Sequence, residues 1–317
     1  MRKFLCTLAA LFLLNLSVLA DNTLQPIDNI VGHYKNKINV VFSDIDGTLL
    51  PKGLAKGEVS DSAKQAAKKL RDANIPLILT TGRSYAETKS IAKKLGNKKA
   101  YLITLQGTEV IDPKGKVIYK DCMNSKDTKK IINSLEAFIK LNNLDSKIYF
   151  YLNGTLYSTK KFNMPYAWDK LVVIKSYESL GDFTPTKIGV YEKEHKKLEL
   201  IKSYLKTNFP DYLVYLSTEC FCEITNLTET KGNGVKQVAK LMNVDLKNSA
   251  VFGDAENDSS MLSVVKKSEG LAVAVKNAMP GLNKNANYET KSVYDGGVNY
   301  AIDKILENNA LLDKGKK

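Results

Sequence analysis

The stretch "VVFSDIDGTLL", residues 40–50, decides how the rest of the chain is read. Val40, Val41 and Phe42 lead through Ser43 into Asp44; Asp46 follows two positions on, and Gly47 comes straight after. An unbroken apolar run suits a strand buried on both faces, as in a parallel sheet covered by helices. Ending such a strand on two like charges is costly unless a positive group is expected beside them. Residues two apart in an extended segment point the same way, so both carboxylates can reach one site. The glycine then lets the chain turn abruptly and lets its backbone approach a ligand closely.

Working outward, strand and helix patterns alternate, the mark of an α/β fold with a parallel sheet. "SDSAKQAAKKLRDAN" reads as a helix capped by Ser60 or Asp61. The strand "IPLILTT", a turn at Gly82, the helix "SYAETKSIAKKLG" and the strand "AYLITLQ" follow. A second block begins near Thr230, with helices at "KGNGVKQVAKLMNV", "NDSSMLSVVKK" and "GGVNYAIDKILEN" and strands at "SAVFGD" and "GLAVAV". Between the blocks the texture changes. A hairpin at "EVIDPKGKVIYK", two helices and several strands suggest an antiparallel sheet with helices on one face. The expected architecture is therefore a doubly wound, Rossmann-like α/β core over 37–106 and 227–310, with an inserted α+β cap over 107–226. Residues 21–36 read as a linker and 311–317 as a tail.

At 317 residues the chain has room for two domains, and 44% hydrophobic with 26% charged residues fits a globular protein. Residues 1–20 stand apart: a basic start, an apolar run and the ending "VLA" lay out a secretory signal peptide cleaved after Ala20. That predicts a secreted or periplasmic protein with no stable membrane span after cleavage. Loss of Arg2 and Lys3 with the segment takes the formal charge from +13 to +11. Such a balance favours anionic partners, small phosphorylated molecules among them. The lysines are spread over amphipathic helix faces without a nucleic-acid-binding signature, so no nucleic acid is expected. Cys122, Cys220 and Cys222 remain after cleavage; free thiols and a single bridge from Cys122 both stay open. In "CFC" both sulfurs are expected on one strand face. Two histidines, His33 and His195, leave little for histidine-based catalysis.

Four loops at strand ends or helix starts carry the chemistry: Asp44-Ile45-Asp46-Gly47-Thr48, Thr80-Thr81-Gly82-Arg83, Lys231-Gly232-Asn233-Gly234 and Gly253-Asp254-Ala255-Glu256-Asn257-Asp258. In open α/β sheets ligands sit beyond the carboxyl ends of the strands. In order and spacing, "DIDGTLL", "TTGR", "KGNG" and "GDAEND" resemble the four motifs of the haloacid-dehalogenase-like hydrolase superfamily. The large insertion makes the chain similar to its Cof-type sugar-phosphate phosphatases, over about residues 38–306. "AVAVKNAMP…DGGVNYAI" follows that subfamily too, whereas Gln106 in "LQGTEV" stands where it usually carries Asn.

The resemblance implies a phosphatase with Asp44 as nucleophile, forming an aspartyl-phosphate, and Asp46 as general acid and base, its pKa raised by a neighbouring carboxylate and partial burial. It implies Mg²⁺ held by Asp44, the backbone carbonyl of Asp46 and Asp254. Thr81, Lys231 and Asn257 would bind phosphate, while Asp258, Gly47, Thr48 and Arg83 would support the site. For Arg83 a structural and a substrate-facing role are both open. A phosphomutase on the same scaffold, a phosphate-binding module without turnover and a surface protein using the basic face are the competing readings. Receiver-type modules lack an acid two residues after the phosphorylated aspartate, and this chain has Asp46. "FNMPYAW", residues 162–168, either lines the substrate pocket or packs within the cap.

Overall fold

A computed structural model describes residues 24–315 apart from 53, 55–57, 163–170 and 229. The expected signal segment and all of "FNMPYAW" except Phe162 lie outside the described residues. The larger sheet contains β1 (Gln25–Pro26), β2 (Val40–Ser43), β3 (Leu77–Thr80), β4 (Leu102–Thr104), β5 (Glu109–Ile111), β6 (Val117–Lys120), β13 (Ser249–Gly253), β14 (Leu271–Val275) and β15 (Tyr288–Thr290). Their spatial order is β1-β15-β14-β13-β2-β3-β4-β5-β6. Pairing is parallel from β1 to β4 and antiparallel for β5 and β6. From β2 the chain first runs out to β3 and β4, then returns on the other side at β13. That reversal opens a crevice beyond the carboxyl end of β2, where such sheets bind ligands.

Alternation along β2 explains the two faces. Val41 packs with α1 (Asp61–Asp72), α2 (Tyr85–Lys94) and α7 (Gly297–Lys314), through Ala66, Leu70, Ile91, Ala301 and Ile302. Val40 and Phe42 face α5 (Lys231–Leu241) and α6 (Ser259–Lys267), through Val235, Val238, Met261 and Val265. The core is thus doubly wound, as expected. Four helix starts, those of α1, α2, α3 (Ser125–Leu141) and α5, use a short polar side chain as N-cap, a contribution of about 1 kcal/mol each. Ser60, not Asp61, caps α1, accepting from the Ala63 amide at 3.2 Å. Ser84 and Thr230 do the same for α2 and α5.

The smaller sheet holds β7 (Lys147–Leu152), β8 (Thr155–Ser158), β9 (Leu171–Val173), β10 (Lys187–Tyr191), β11 (Tyr212–Thr218) and β12 (Phe221–Asn226), in the order β11-β12-β10-β7-β8-β9. Helices α3 (Ser125–Leu141) and α4 (His195–Asn208) cover one face, where Ile131, Leu135, Leu198 and Ile201 meet Phe150, Ile188 and Ile224. Tyr149, Tyr151, Leu156 and Phe221 on the other face pack against Leu105 of the larger unit. The Leu105 amide bonds the Arg83 carbonyl at 2.9 Å, so the helix-free face rests on a site loop.

Several expectations are corrected. The hairpin β5–β6 extends the larger sheet through β4, so residues 109–120 do not open the cap. The segment read as a linker is built in: β1 pairs with β15, and Ile27 and Ile30 are buried. Helix α7 continues through Lys314, well into the supposed tail. The smaller sheet is not wholly antiparallel, because β8 and β9 run parallel. Of the two cysteine readings left open, the free thiols hold for Cys122, Cys220 and Cys222. The two sulfurs of "CFC" do not share a face: β12 begins after Cys220, which packs beside Phe221, whereas Cys222 lies among the helix-side residues.

On its helix-free face the smaller sheet buries an ion pair. Lys187 Nζ lies 2.5 Å from Glu223 Oε1, which also accepts the Tyr149 hydroxyl at 2.9 Å. The Tyr149 ring crosses Gly189 to get there; a Cβ at that glycine would fall 2.1 Å from the ring. Removing one partner of such a pair strands the other charge in a dry environment. Lys187→Met is therefore expected to lower unfolding free energy by about 3–5 kcal/mol in chemical denaturation. Adding Glu223→Leu should recover most of that loss; a double variant as unstable as the single one would contradict the assignment.

Candidate active site

The segment after β2 folds back on itself. Ile45 carbonyl accepts the amides of Leu49 at 3.1 Å and Leu50 at 2.8 Å, and the Gly47 amide bonds the Leu50 carbonyl at 2.8 Å. Gly47 has φ +88, and a Cβ there would stand 2.5 Å from Asp254 Oδ2. Only glycine fits both constraints. From outside, Asn277 Nδ2 donates to the Gly47 carbonyl at 2.8 Å, while Asn277 Oδ1 accepts the Val293 amide at 2.8 Å and the Ser292 hydroxyl at 3.2 Å.

Asp44 lies at the end of β2, buried, its amide bonded to the Phe252 carbonyl of neighbouring β13 at 3.1 Å. Lys231, the first residue of α5, is held in place by the Thr230 cap and is 1% exposed. Its ammonium bonds Asp44 Oδ1 at 2.5 Å and Asp258 Oδ1 at 2.7 Å. Asp258 Oδ2 accepts the amides of Asp254 at 2.9 Å and Ala255 at 3.0 Å. Both oxygens of Asp258 are therefore held by buried or backbone donors, which fits the expected supporting role. Thr48 donates to Asp254 Oδ1 at 2.8 Å, and Lys52 Nζ lies 3.0 Å from Asp254 Oδ2. Carboxylate oxygens of Asp44, Asp254 and Asp258 all fall within 4.8 Å of one another, a group able to hold a metal ion.

The electrostatics agree with that geometry. Burial, opposed by Lys231 and reinforced by Asp258, Asp254 and Asp46, pushes Asp44 well above the usual carboxylate range. Burial and then Asp258 push Asp254 up as well, against Lys52 and Thr48. Burial favours the neutral amine of Lys231, but the carboxylates of Asp258 and Asp44 outweigh it and hold the lysine charged. The cluster as a whole is short of positive charge. A hard cation on oxygen donors is the chemistry that suits it.

Asp46 sits differently from the expectation. Its side chain is 42% exposed and gripped at both oxygens by Arg83, with Nε at 2.7 Å from Oδ2 and Nη2 at 2.6 Å from Oδ1. Arg83 thus faces Asp46 in a bidentate fork, the geometry in which guanidinium and carboxylate bind best. The Thr81 hydroxyl accepts the Arg83 amide at 3.2 Å, which leaves its own proton for another acceptor. Asn257 Nδ2 donates to Gln106 Oε1 at 3.1 Å, and Asn257 Oδ1 is buried without a hydrogen bond among the described residues. Gln106, with φ +65, is carried to this position by its own amide bonding the Thr81 carbonyl at 3.0 Å.

All four sequence loops therefore meet at one end of the sheet. Lys52 and Asn277 were missed as contributors. Asn277 lies within "AVAVKNAMP", a stretch noted without a role for any residue; Lys52 carries no local signal among 47 basic residues.

Residues 41–302 match the family model of haloacid dehalogenase-like hydrolases. A Streptococcus pyogenes serotype M6 protein provisionally named a phosphatase is 29% identical over 283 residues, covering 86% of this chain and 99% of that one. A Methanobrevibacter smithii protein named phosphoglycolate phosphatase is 26% identical, covering 85% and 99%. Among solved structures, TM0651 from Thermotoga maritima superposes with a TM-score of 0.70 at 26% identity, covering 84% of this chain and 97% of that one. A HAD/COF-like hydrolase from Plasmodium vivax shares the fold, with a TM-score of 0.72 at 20% identity, covering 89% and 99%.

The raised pKa of Asp254 has a stability consequence of definite sign. Between the unfolded carboxylate pKa and the higher folded one, the folded state binds more protons, so stability falls as pH rises through that window. In chelator-treated protein, Asp254→Asn should melt a few degrees above wild type at pH 7, the Asn carbonyl still accepting from Thr48. The gap should close toward pH 4. Calorimetric scans across that range check it, and a variant melting below wild type at pH 7 would contradict it.

Proposed function

The chain belongs to the haloacid dehalogenase-like hydrolase family, and from that premise we propose that it is a Cof-type phosphatase releasing phosphate from small phosphomonoesters through an aspartyl-phosphate. The observation that carries this reading is the buried Lys231 ammonium, held between Asp44 and Asp258 with Asp254 alongside. Such a lysine can meet a phosphate oxygen while its charge opposes the upward push of burial on the adjacent carboxylate and keeps that group aimed.

Asp44 attacks phosphorus in line, and the bond to the leaving oxygen breaks as the ester to Asp44 forms. Lys231 and the Thr81 hydroxyl bind phosphoryl oxygens, and the Asn257 amide adds a further contact. Asp46 delivers a proton to the leaving oxygen, then takes one from the water that hydrolyses the ester. Because Arg83 holds both Asp46 oxygens in this structure, Asp46 must turn away from the guanidinium before it can do so. Asp44, the Asp46 backbone carbonyl and Asp254 would hold Mg²⁺. When bound, that ion supplies positive charge to the transferring phosphoryl group.

As for substrate, the Cof-type resemblance favours a sugar phosphate, and two relatives named phosphoglycolate phosphatase add a small phosphorylated acid as the second class to assay. A panel of phosphorylated metabolites, with an aryl phosphate as generic reporter, tests the reading with Mg²⁺ present and then chelated. Inorganic phosphate should appear only with the ion. Asp44→Asn should abolish turnover, and Asp46→Asn should lower it about 10²–10⁴-fold. Activity undiminished in Asp44→Asn would falsify the assignment, and phosphate moved within the substrate rather than released would indicate a mutase.

A further inference from the structure

Lys52 has no part in the chemistry just described, yet it reaches the centre of the site. It lies in the turn that follows the Asp44–Leu50 fold-back, with its side chain 58% exposed and its ammonium 3.0 Å from Asp254 Oδ2. The lysine stem crosses Gly47, where a Cβ would fall 2.6 Å from Lys52 Cε. Asp254 Oδ1 is already taken by the Thr48 hydroxyl. In this state neither oxygen of Asp254 is without a donor, although Asp254 belongs to the carboxylate group able to hold a cation.

The two lysines at the site differ in kind. Lys231 is buried and held from two sides, so it stays. Lys52 is tied by one contact at the mouth of the site, and its ammonium is open to water where that of Lys231 is not, so it is the more easily exchanged of the two. A divalent ion at the same carboxylate oxygen would meet a positive charge, and the more weakly held cation has to leave. Displaced, Lys52 remains tethered beside Gly47, near where the phosphoryl group would sit and with a new anion available to bind.

We propose that Lys52 stands in for the cation at Asp254 in the resting protein and, once a divalent ion takes that carboxylate, becomes a substrate-binding residue for the phosphate group. The second half rests on the phosphatase reading; the first does not. It follows that the lysine should oppose metal binding and favour substrate binding, a pairing of effects that a merely structural residue would not produce.

Titration calorimetry with Mg²⁺ alone, on wild type, Lys52→Gln and Lys52→Arg, reads the first half. Lys52→Gln should bind the ion about two- to five-fold more tightly, the loss of one solvent-screened competing charge, and Lys52→Arg should stay near wild type. Kinetics with p-nitrophenyl phosphate at saturating Mg²⁺ read the second: KM should rise in Lys52→Gln by a similar factor. Unchanged or weaker Mg²⁺ binding in Lys52→Gln overturns the stand-in role, even where hydrolysis is intact. Tighter Mg²⁺ binding with an unaltered KM overturns the substrate contact. Wild type that binds Mg²⁺ and hydrolyses nothing in the panel sinks the phosphatase reading and the substrate contact with it, while the calorimetric comparison still decides the stand-in role.

Discussion

The ammonium of Lys231 between Asp44 and Asp258 is the contact on which the site depends. Each of the three charges is nearly or wholly buried, and each arrives on a different element: the end of β2, the start of α5 and the loop after β13. The desolvation of such groups is recovered only when their geometry is good and their remaining lone pairs are filled. Here Asp258 spends its second oxygen on two backbone amides, which fixes the loop that also carries Asp254. A shift of any one element would therefore leave a buried charge alone. The doubly wound core is the frame that prevents the shift, because β2 and β13 are adjacent parallel strands and α5 packs on their shared face.

Much of this was legible in the sequence because the signals are local. Apolar runs of three to five residues mark β2, β3, β13 and β14, and single polar residues before amphipathic stretches mark several helix starts. Asp44, Asp46 and Asp254 stood out because charged residues at the ends of buried strands need a reason to be there, and Lys231 through the motif at its helix start. Where the reading failed, the deciding fact was non-local. The hairpin at 109–120 has the same period whether it pairs with β4 or with a strand of the smaller sheet, and only register with Leu102–Thr104 decides. Two residues, Gln25 and Pro26, are too few to show any period, so their pairing with β15 was invisible. The Arg83–Asp46 fork spans 37 positions, and nothing near either residue announces the other.

The molecule buries lysine–carboxylate contacts in both its units, and the difference between them separates structure from function. On the smaller sheet Lys187 and Glu223 balance one to one, with the Tyr149 hydroxyl on the same oxygen, and the group is sealed by aromatic rings. At the end of the larger sheet a single buried lysine faces Asp44 and Asp258, and Asp254 stands beside them with only an exposed lysine and a hydroxyl as donors. In the first, charge balances within the group, although Glu223 Oε2 is buried without a hydrogen-bond partner among the described residues. In the second, carboxylates outnumber the buried cation, and burial pushes Asp44 and Asp254 toward protonation. An uncompensated charge kept beyond the ends of parallel strands is a standing cost to the fold. Its persistence beside a buried lysine and a tight glycine turn is best explained by a positively charged ligand and an anionic one arriving together.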